Sequence, residues 1–173
     1  MILSFLSCLH CTALLTFRLD NSQSVIMSDL TFLGEPVLTW RAAGRLERVV
    51  VFLHGSGDSG PGLADWLDSL GLRSRLETNT AVLFPSARPR PYSMYGGEVS
   101  SVWHDRRDLD ISAWEDQEGM ETMTSSLDSF ISQICGAWNL NRQNVIMGGF
   151  RDRLHFIKRI CYAFCENMLR SEI

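Results

Sequence analysis

A glycine-rich segment at residues 54–60, His-Gly-Ser-Gly-Asp-Ser-Gly, is the first candidate for chemistry in this chain. Three glycines within six positions allow the backbone to turn sharply with its amide groups pointing into a cavity. Amide groups held in that way can stabilise the negatively charged oxygen of a tetrahedral intermediate. A plain strand-to-helix turn and a phosphate-binding loop are the alternatives, although the segment lacks the Lys-Ser/Thr pair of a P-loop.

Ser59 in the same segment is a second candidate, because Gly-Asp-Ser-Gly-Pro at residues 57–61 resembles the nucleophile motif of trypsin-like proteases. That motif needs one more glycine, and an all-β double barrel cannot be drawn from the strands that this sequence predicts. We therefore interpret Ser59 as a loop residue rather than a nucleophile.

Apolar runs predict the strands that position these segments. Residues 49–53 form a continuous, largely β-branched run that ends at the glycine-rich segment, which is typical of a buried strand in a parallel sheet. Residues 80–84 and 144–147 predict two further strands of the same kind. An alternating stretch at residues 36–41 predicts an edge strand.

Two helices are predicted between these strands. Apolar residues at helical spacing indicate one helix within residues 63–76 and a longer one over residues 117–138. The buried face of the longer helix is expected to consist of Met120, Met123, Leu127, Phe130, Ile131 and Ile134. Residues 86–101, rich in Pro, Gly, Arg and Tyr, predict a long loop. The alternation of strands and helices predicts a doubly wound α/β sheet.

Several spaced motifs between about residues 49 and 150 resemble the acyl-protein thioesterase and phospholipase/carboxylesterase family, most of all its lysophospholipase-like branch. They are the glycine-rich segment, Pro-Ser-Ala at 85–87, Gly-Gly at 96–97, and Val-Trp followed by Asp-Arg within 102–106. The resemblance implies an incomplete α/β-hydrolase: a mainly parallel sheet flanked by helices, without a large cap. It also implies hydrolysis of acyl esters or thioesters, including palmitoyl-cysteine in proteins, with no cofactor and no metal.

The same resemblance assigns site roles to two residues. Ser56 stands where the family places the first donor of the oxyanion hole, a backbone N–H. Trp103 would line the site near the acyl chain of the substrate, an acylated protein or a small acyl ester; a core aromatic is the alternative. His54 and Asp58 belong to the same loop motif and are expected to be structural.

The resemblance breaks at residue 151. The family continues from Gly149 and Phe150 into a Ser-x-Gly-Gly turn, but this chain has Arg151 at the nucleophile position. A guanidinium stays protonated and cannot attack a carbonyl. The acid and base of the triad follow the serine in this fold, and the 23 residues after Phe150 are too few for another strand–helix unit of roughly 30. We therefore expect no catalytic residue and no turnover. A non-catalytic truncated isoform, acting as a binding or membrane-associated protein, is the alternative.

The break suggests three regions: an uncertain N-terminal extension at residues 1–26, the N-terminal part of a hydrolase domain at 27–150, and a divergent tail at 151–173. The tail carries five basic and three acidic side chains, a net charge of +2, in a chain whose total is −4. The alternatives for this tail are a helix packed on the sheet, a tail from another exon or reading frame, and a basic membrane-surface helix. Its apolar residues recur at helical spacing: Leu154, Ile157, Ile160, Cys161, Phe164, Cys165 and Met168.

Residues 1–17 are apolar, but no positive charge precedes them and no clear cleavage site follows. Three interpretations of this segment therefore remain: a signal peptide, a membrane anchor, or an upstream extension before Met27. We favour the extension. The net charge of −4 gives no reason to expect nucleic-acid binding. The five scattered cysteines favour reduced thiols in a cytoplasmic protein over a disulfide framework.

Overall fold

The computed structural model of the protein describes residues 23–149 except 43, 109, 111–113 and 115, and for residues 23–29 it describes the backbone alone. Two α-helices lie in this range, α1 (Gly60–Ser69) and α2 (Gln117–Trp138). The strands are β1 (Gln23–Phe32), β2 (Glu35–Ala42), β3 (Arg48–Leu53), β4 (Thr80–Phe84), β5 (Pro89–Pro91), β6 (Val99–Ser101) and β7 (Val145–Gly149). Arg151 and the tail lie outside the described residues.

Five of these strands form one mixed sheet in the order β1-β2-β4-β3-β7. Strands β4, β3 and β7 are parallel to one another, whereas β2 is antiparallel to both β4 and β1. The connection from β3 to β4 contains α1, and the connection from β4 to β7 contains α2 and crosses back over β3. Right-handed crossovers in opposite directions place the two helices on opposite faces, which confirms the predicted incomplete α/β-hydrolase fold.

Helix α2 covers one face of the sheet with the apolar stripe that the sequence predicts. Its predicted bounds and all six of its predicted core residues match the structure. The helix begins where the Asp116 carboxylate accepts a hydrogen bond from the Gly119 N–H at 2.9 Å, and it ends at Asn139 in a left-handed conformation. On the sheet side this face of the core is made by Val49, Val51, Leu53, Ala81 and Leu83.

Helix α1 covers the other face, but it is shorter than the predicted helix at residues 63–76. It begins at Gly60 and is capped by Ser59, whose hydroxyl accepts a hydrogen bond from the Gly62 N–H at 3.1 Å. It ends at Ser69, because Gly71 has a φ of +72°, a left-handed conformation that stops a helix. The core on this face is formed by Leu63, Ala64 and Leu67 of the helix with Trp40, Val82 and Phe84 of the sheet.

Strand β2 is not the edge strand that was predicted, because β1 pairs with its outer side. The two strands are joined by a two-residue turn in which Leu33 and Gly34 both have positive φ, the geometry of a tight hairpin. Strand β1 begins at Gln23, which pairs with Ala42, so the proposed boundary between residues 26 and 27 falls inside a paired strand.

The predicted loop at residues 86–101 contains a short antiparallel ribbon. In it β5 pairs with β6, with Pro89 opposite Ser101 and Pro91 opposite Val99. The connection between the two strands includes Tyr92, which is buried. The ribbon therefore gives this proline- and glycine-rich stretch a fixed position beside the carboxyl edge of the main sheet.

Candidate functional site

Strands β3 and β7 end side by side, with Leu53 opposite Gly149 in the parallel register. The glycine-rich segment leaves β3 immediately after Leu53, and residue 150 follows Gly149. Ligand sites in sheets of this kind lie outside the carboxyl ends of parallel strands. The segment predicted to supply amide groups and the segment in which Arg151 is predicted to replace the nucleophile of the family therefore leave the sheet at the same place.

His54 joins three loops at this edge and is fully buried. Its Nε2 accepts a hydrogen bond from the Ala87 N–H at 3.0 Å, so the proton must be on Nδ1, which donates to the Gly55 carbonyl at 2.7 Å. Its own carbonyl accepts a hydrogen bond from the Trp103 indole at 2.7 Å. With both ring nitrogens used within the protein, His54 acts as a structural residue.

Ser56 lies two residues further along, in a turn closed by a hydrogen bond from the Asp58 N–H to the Gly55 carbonyl. The Gly57 N–H donates to the Ser101 carbonyl of β6 at 2.9 Å, which ties this turn to the ribbon. The side chain of Ser56 is half-buried. The predicted oxyanion-hole residue is thus held on a loop that is bonded to neighbouring elements on both sides.

Arg106 supplies a further link that the sequence did not predict. Its Nη2 donates to the Ser56 hydroxyl at 3.3 Å, and its Nε donates to the Tyr92 hydroxyl at 2.6 Å. Tyr92 is buried beneath the ribbon. Tyr92 and Arg106 both lie in the stretch that resembles the family. Arg106, however, contacts residues that are 14 and 50 positions away, and no local pattern signals such contacts.

The glycine-rich segment also contains Gly55, Gly57 and Gly60 in the G-x-G-x-x-G spacing of dinucleotide-binding loops. Such loops present free amide groups to a pyrophosphate at the start of a helix. Here the Gly60 N–H donates to the Ser86 hydroxyl at 2.9 Å, and the first turn of α1 is capped by Ser59. These amide groups are already used within the protein, which argues against a phosphate site.

Gly60 is required for a different reason, the close approach of α1 to the end of β4. A Cβ atom at this position would lie 2.0 Å from the Phe84 carbonyl oxygen. That distance is far below van der Waals contact, so any other residue would push the helix away from the strand. The glycine therefore fixes how closely the loop follows the carboxyl edge of the sheet.

Trp103 lies in the core, packed between Phe32 and His54 with ring centroids 6.1 and 4.8 Å away. Its side chain is 1% exposed, and its indole N–H is bonded to the backbone beneath the site. The structure therefore places Trp103 directly under the loop that carries Ser56. The core position is observed; contact with an acyl chain stays a prediction.

Asp105 anchors the segment between the ribbon and α2. Its carboxylate accepts hydrogen bonds from the Ser93 N–H at 2.8 Å and the Ser93 hydroxyl at 2.5 Å, and its N–H donates to Asp116. Burial raises the pKa of Asp105. The hydrogen bonds from the Ser93 side chain and backbone and from the Arg106 backbone, together with the charge of Arg90, outweigh that effect and leave this pKa below its ordinary value.

Among the described residues, no group of three His, Cys, Asp or Glu side chains is placed to hold a metal ion. In that same part of the chain, no helix is long and apolar enough to cross a membrane. The Arg151 side chain, predicted to replace the nucleophile, lies outside the described residues.

Comparison with known proteins identifies the family to which this fold and its loops belong. A family model described as Phospholipase/Carboxylesterase matches residues 39–152, from β2 to just beyond β7. The chain belongs to the phospholipase/carboxylesterase family. The match includes the glycine-rich segment, the ribbon and the strand that precedes Arg151, so this chain shares with its family the elements that form the carboxyl edge described above.

Individual family members agree with this result. Mouse lysophospholipase-like protein 1 is 29% identical over 107 residues, which are 62% of this chain and 44% of that protein. Acyl-protein thioesterase 1 of Yarrowia lipolytica is 32% identical over 102 residues, 58% of this chain and 44% of that protein. The crystal structure of Zea mays acyl-protein thioesterase 2 superimposes with a TM-score of 0.53 at 28% identity, covering 66% of this chain and 45% of the maize chain. The chain thus spans less than half the length of these relatives.

Proposed function

We propose that this chain carries the oxyanion-loop part of an acyl ester or thioester hydrolase but does not itself hydrolyse such substrates. The observation that carries the proposal is the register of β3 and β7. Because Leu53 lies opposite Gly149, residue 151 follows the strand end beside the loop that holds Ser56. By the family resemblance, position 151 is where the nucleophile would stand, and in this chain that residue is Arg151.

In a family member that hydrolyses acyl esters or thioesters, the reaction would give a role to each position at this edge. A serine oxygen would attack the acyl carbonyl, and the oxygen that becomes negative would receive hydrogen bonds from backbone amides. In this chain the Ser56 N–H is the proposed donor to that oxygen. Arg106 positions the same loop through the Ser56 hydroxyl. Arg151 has no lone pair that could form the acyl bond.

The proposed substrate class is an acylated protein or a small acyl ester. Its support is the family match together with relatives that are named acyl-protein thioesterase and carboxylesterase. Trp103 is proposed to support the wall next to the acyl chain from beneath the loop. We also propose a cytoplasmic location. The resemblance implies that the family acts on acyl-cysteine in proteins, and these groups lie inside cells.

The test compares the purified full chain with Yarrowia lipolytica acyl-protein thioesterase 1, assayed side by side. The substrates are a short p-nitrophenyl ester and a palmitoyl thioester, and a fluorophosphonate probe reports any activated serine. We expect turnover and labelling for the relative and neither for this chain. Serine labelling of this chain, mapped to a single peptide, would refute the proposal that it lacks a nucleophile.

A binding role without catalysis is the second candidate, and the intact Ser56 loop favours it. The loop keeps its hydrogen bonds to Ser101 and Arg106 although the nucleophile is absent. Calorimetric titration with a non-hydrolysable palmitoyl thioether would measure such binding. Ser56→Pro removes the proposed N–H donor and should weaken binding more than Ser56→Ala, which keeps that N–H but loses the hydrogen bond from Arg106 to the Ser56 hydroxyl. Equal binding by both variants, with unchanged circular dichroism, would exclude this use of the loop.

A further inference from the structure

The sheet is covered unequally on its two faces at its β7 side. On the α2 face, Val49 and Val51 of β3 are fully buried. On the α1 face, Val50 and Phe52 of the same strand are only half-buried, and Ile146 of β7 is 50% exposed. The reason is that α1 lies over β2 and β4, so it does not reach the last strand.

The uncovered area is a groove of about 340 Å³ between α1 and β7. Its floor is formed by Val50, Phe52 and Ile146, and its α1 side by Leu67 and the exposed Leu72. An apolar groove of this size on a sheet face is a place where another element packs. We refer to it as the β7 groove.

We propose that the tail, residues 151–173, docks in the β7 groove as a helix. The first reason is connectivity, because β7 contributes Ile146 to the groove and passes directly into residue 150. The second is that Val49 and Val51, the β3 residues on the α2 face, are already covered, whereas those on the α1 face are not. The tail is therefore the segment of this chain that begins nearest to the groove.

The spacing and length of the tail fit that position. Five of its apolar residues recur at intervals of three and four, which places them along one face of a helix. From the first to the last of them the helix would be about 22 Å long at 1.5 Å per residue. The five-residue strand β7 is about 17 Å long at about 3.4 Å per residue. A helix that returns along β7 would therefore cover the groove with Leu154, Ile157, Cys161, Phe164 and Met168.

The test uses the two cysteines of the tail, Cys161 and Cys165, as natural crosslinking sites in the full-length chain. The background carries Cys8→Ser, Cys11→Ser and Cys135→Ser, so that these two thiols are the ones that remain. Ile146→Cys then adds a thiol to the floor of the groove, and a short bismaleimide is applied to dilute protein. We expect an intrachain crosslink between position 146 and the tail, identified by peptide mass mapping.

Val99→Cys is the matched control. Val99 is also an exposed apolar strand residue, 69% exposed against 50% for Ile146, but it lies on the ribbon rather than in the groove. It should give no crosslink to the tail. If Ile146→Cys alters the circular dichroism spectrum, Leu72→Cys on the other wall replaces it. A crosslink between two chains would show that a second copy covers the groove. That result, or no crosslink from positions 146 and 72 in folded protein, would overturn the proposal.

Discussion

Leu53 and Gly149 lie opposite each other at the carboxyl ends of two parallel strands, and each is the last strand residue before a segment that has a predicted role in the site. Leu53 precedes the loop that holds Ser56, and Gly149 precedes the segment in which Arg151 replaces the nucleophile. The two strands that would position the site, β3 and β7, are thus both present, although the nucleophile is predicted to be absent.

Gly60→Ala should destabilise the protein, because the new methyl group would collide with the backbone of β4. A Cβ there lies 2.0 Å from the Phe84 carbonyl oxygen, and the expected loss is about 1–3 kcal/mol. Gly136→Ala is the matched control, since nothing lies within 4 Å of a Cβ at this exposed position of α2. It should gain about 0.5–1 kcal/mol. Urea unfolding of both variants measures the difference; equal stabilities would contradict the close approach of α1 to β4.

Tyr92→Phe should destabilise the site loop by removing the hydroxyl that accepts a hydrogen bond from Arg106. The lost bond involves a charged donor and a buried partner, so about 1.5–3 kcal/mol is expected. Arg106→Gln should cost a similar amount, and the double variant should cost less than the sum. Arg107→Gln, which changes the exposed neighbour that stacks on Trp114, is the control. Additive losses in chemical denaturation would show that Tyr92 and Arg106 do not act together.

A polypeptide that begins at Gln23 should unfold at the same temperature as the full chain, whereas one that begins at Met27 should be less stable. The second polypeptide lacks the four residues that pair with positions 39–42 of β2. Loss of two or three strand hydrogen bonds costs about 1–4 kcal/mol. Thermal unfolding followed by circular dichroism distinguishes the two. Equal midpoints would show that the pairing of residues 23–26 with β2 does not contribute to stability.

Asp105 should make the stability of the protein depend on pH in the acid range. Its pKa is lower in the folded state than the ordinary value of 3.8, so its carboxylate stabilises the fold above that pH. This contribution is lost as the pH falls through the folded pKa. Asp105→Asn should therefore lower the free energy of unfolding at neutral pH, and its difference from the wild type should shrink below about pH 3.8. A difference that is independent of pH would contradict this assignment.

The sequence predicts those elements whose periodicity is strong and whose ends are marked. Helix α2 has a complete apolar stripe, an Asp cap and a left-handed Asn end, and both its bounds and its core face are confirmed. Strand β1 was not predicted, because the favoured start of the protein at Met27 divides this strand. Helix α1 was predicted too long because its apolar spacing continues past Gly71, while backbone conformation ends the helix earlier.

The site was predicted less completely than the fold, for a physical reason. Ser56 and Trp103 were proposed as site residues through a family resemblance in consecutive motifs, and their roles stay predictions. The contacts that hold them, from Arg106 to Ser56 and from Trp103 to the His54 carbonyl, join residues 50 and 49 positions apart. Polar contacts between loops depend on how the loops approach in space, and periodicity carries no information about that.

The register of the central strand also sets an order in which the protein can assemble. Val49 pairs with Ala81 on one side and with Val145 on the other, so the second pairing closes a loop about three times as long as the first. The entropy of that closure is greater by about 1 kcal/mol. The β1–β2 hairpin and the β3–α1–β4 unit are therefore expected to form first, with β7 joining last. During synthesis on the ribosome, the edge beside Ser56 would stay open until the last of these strands has emerged.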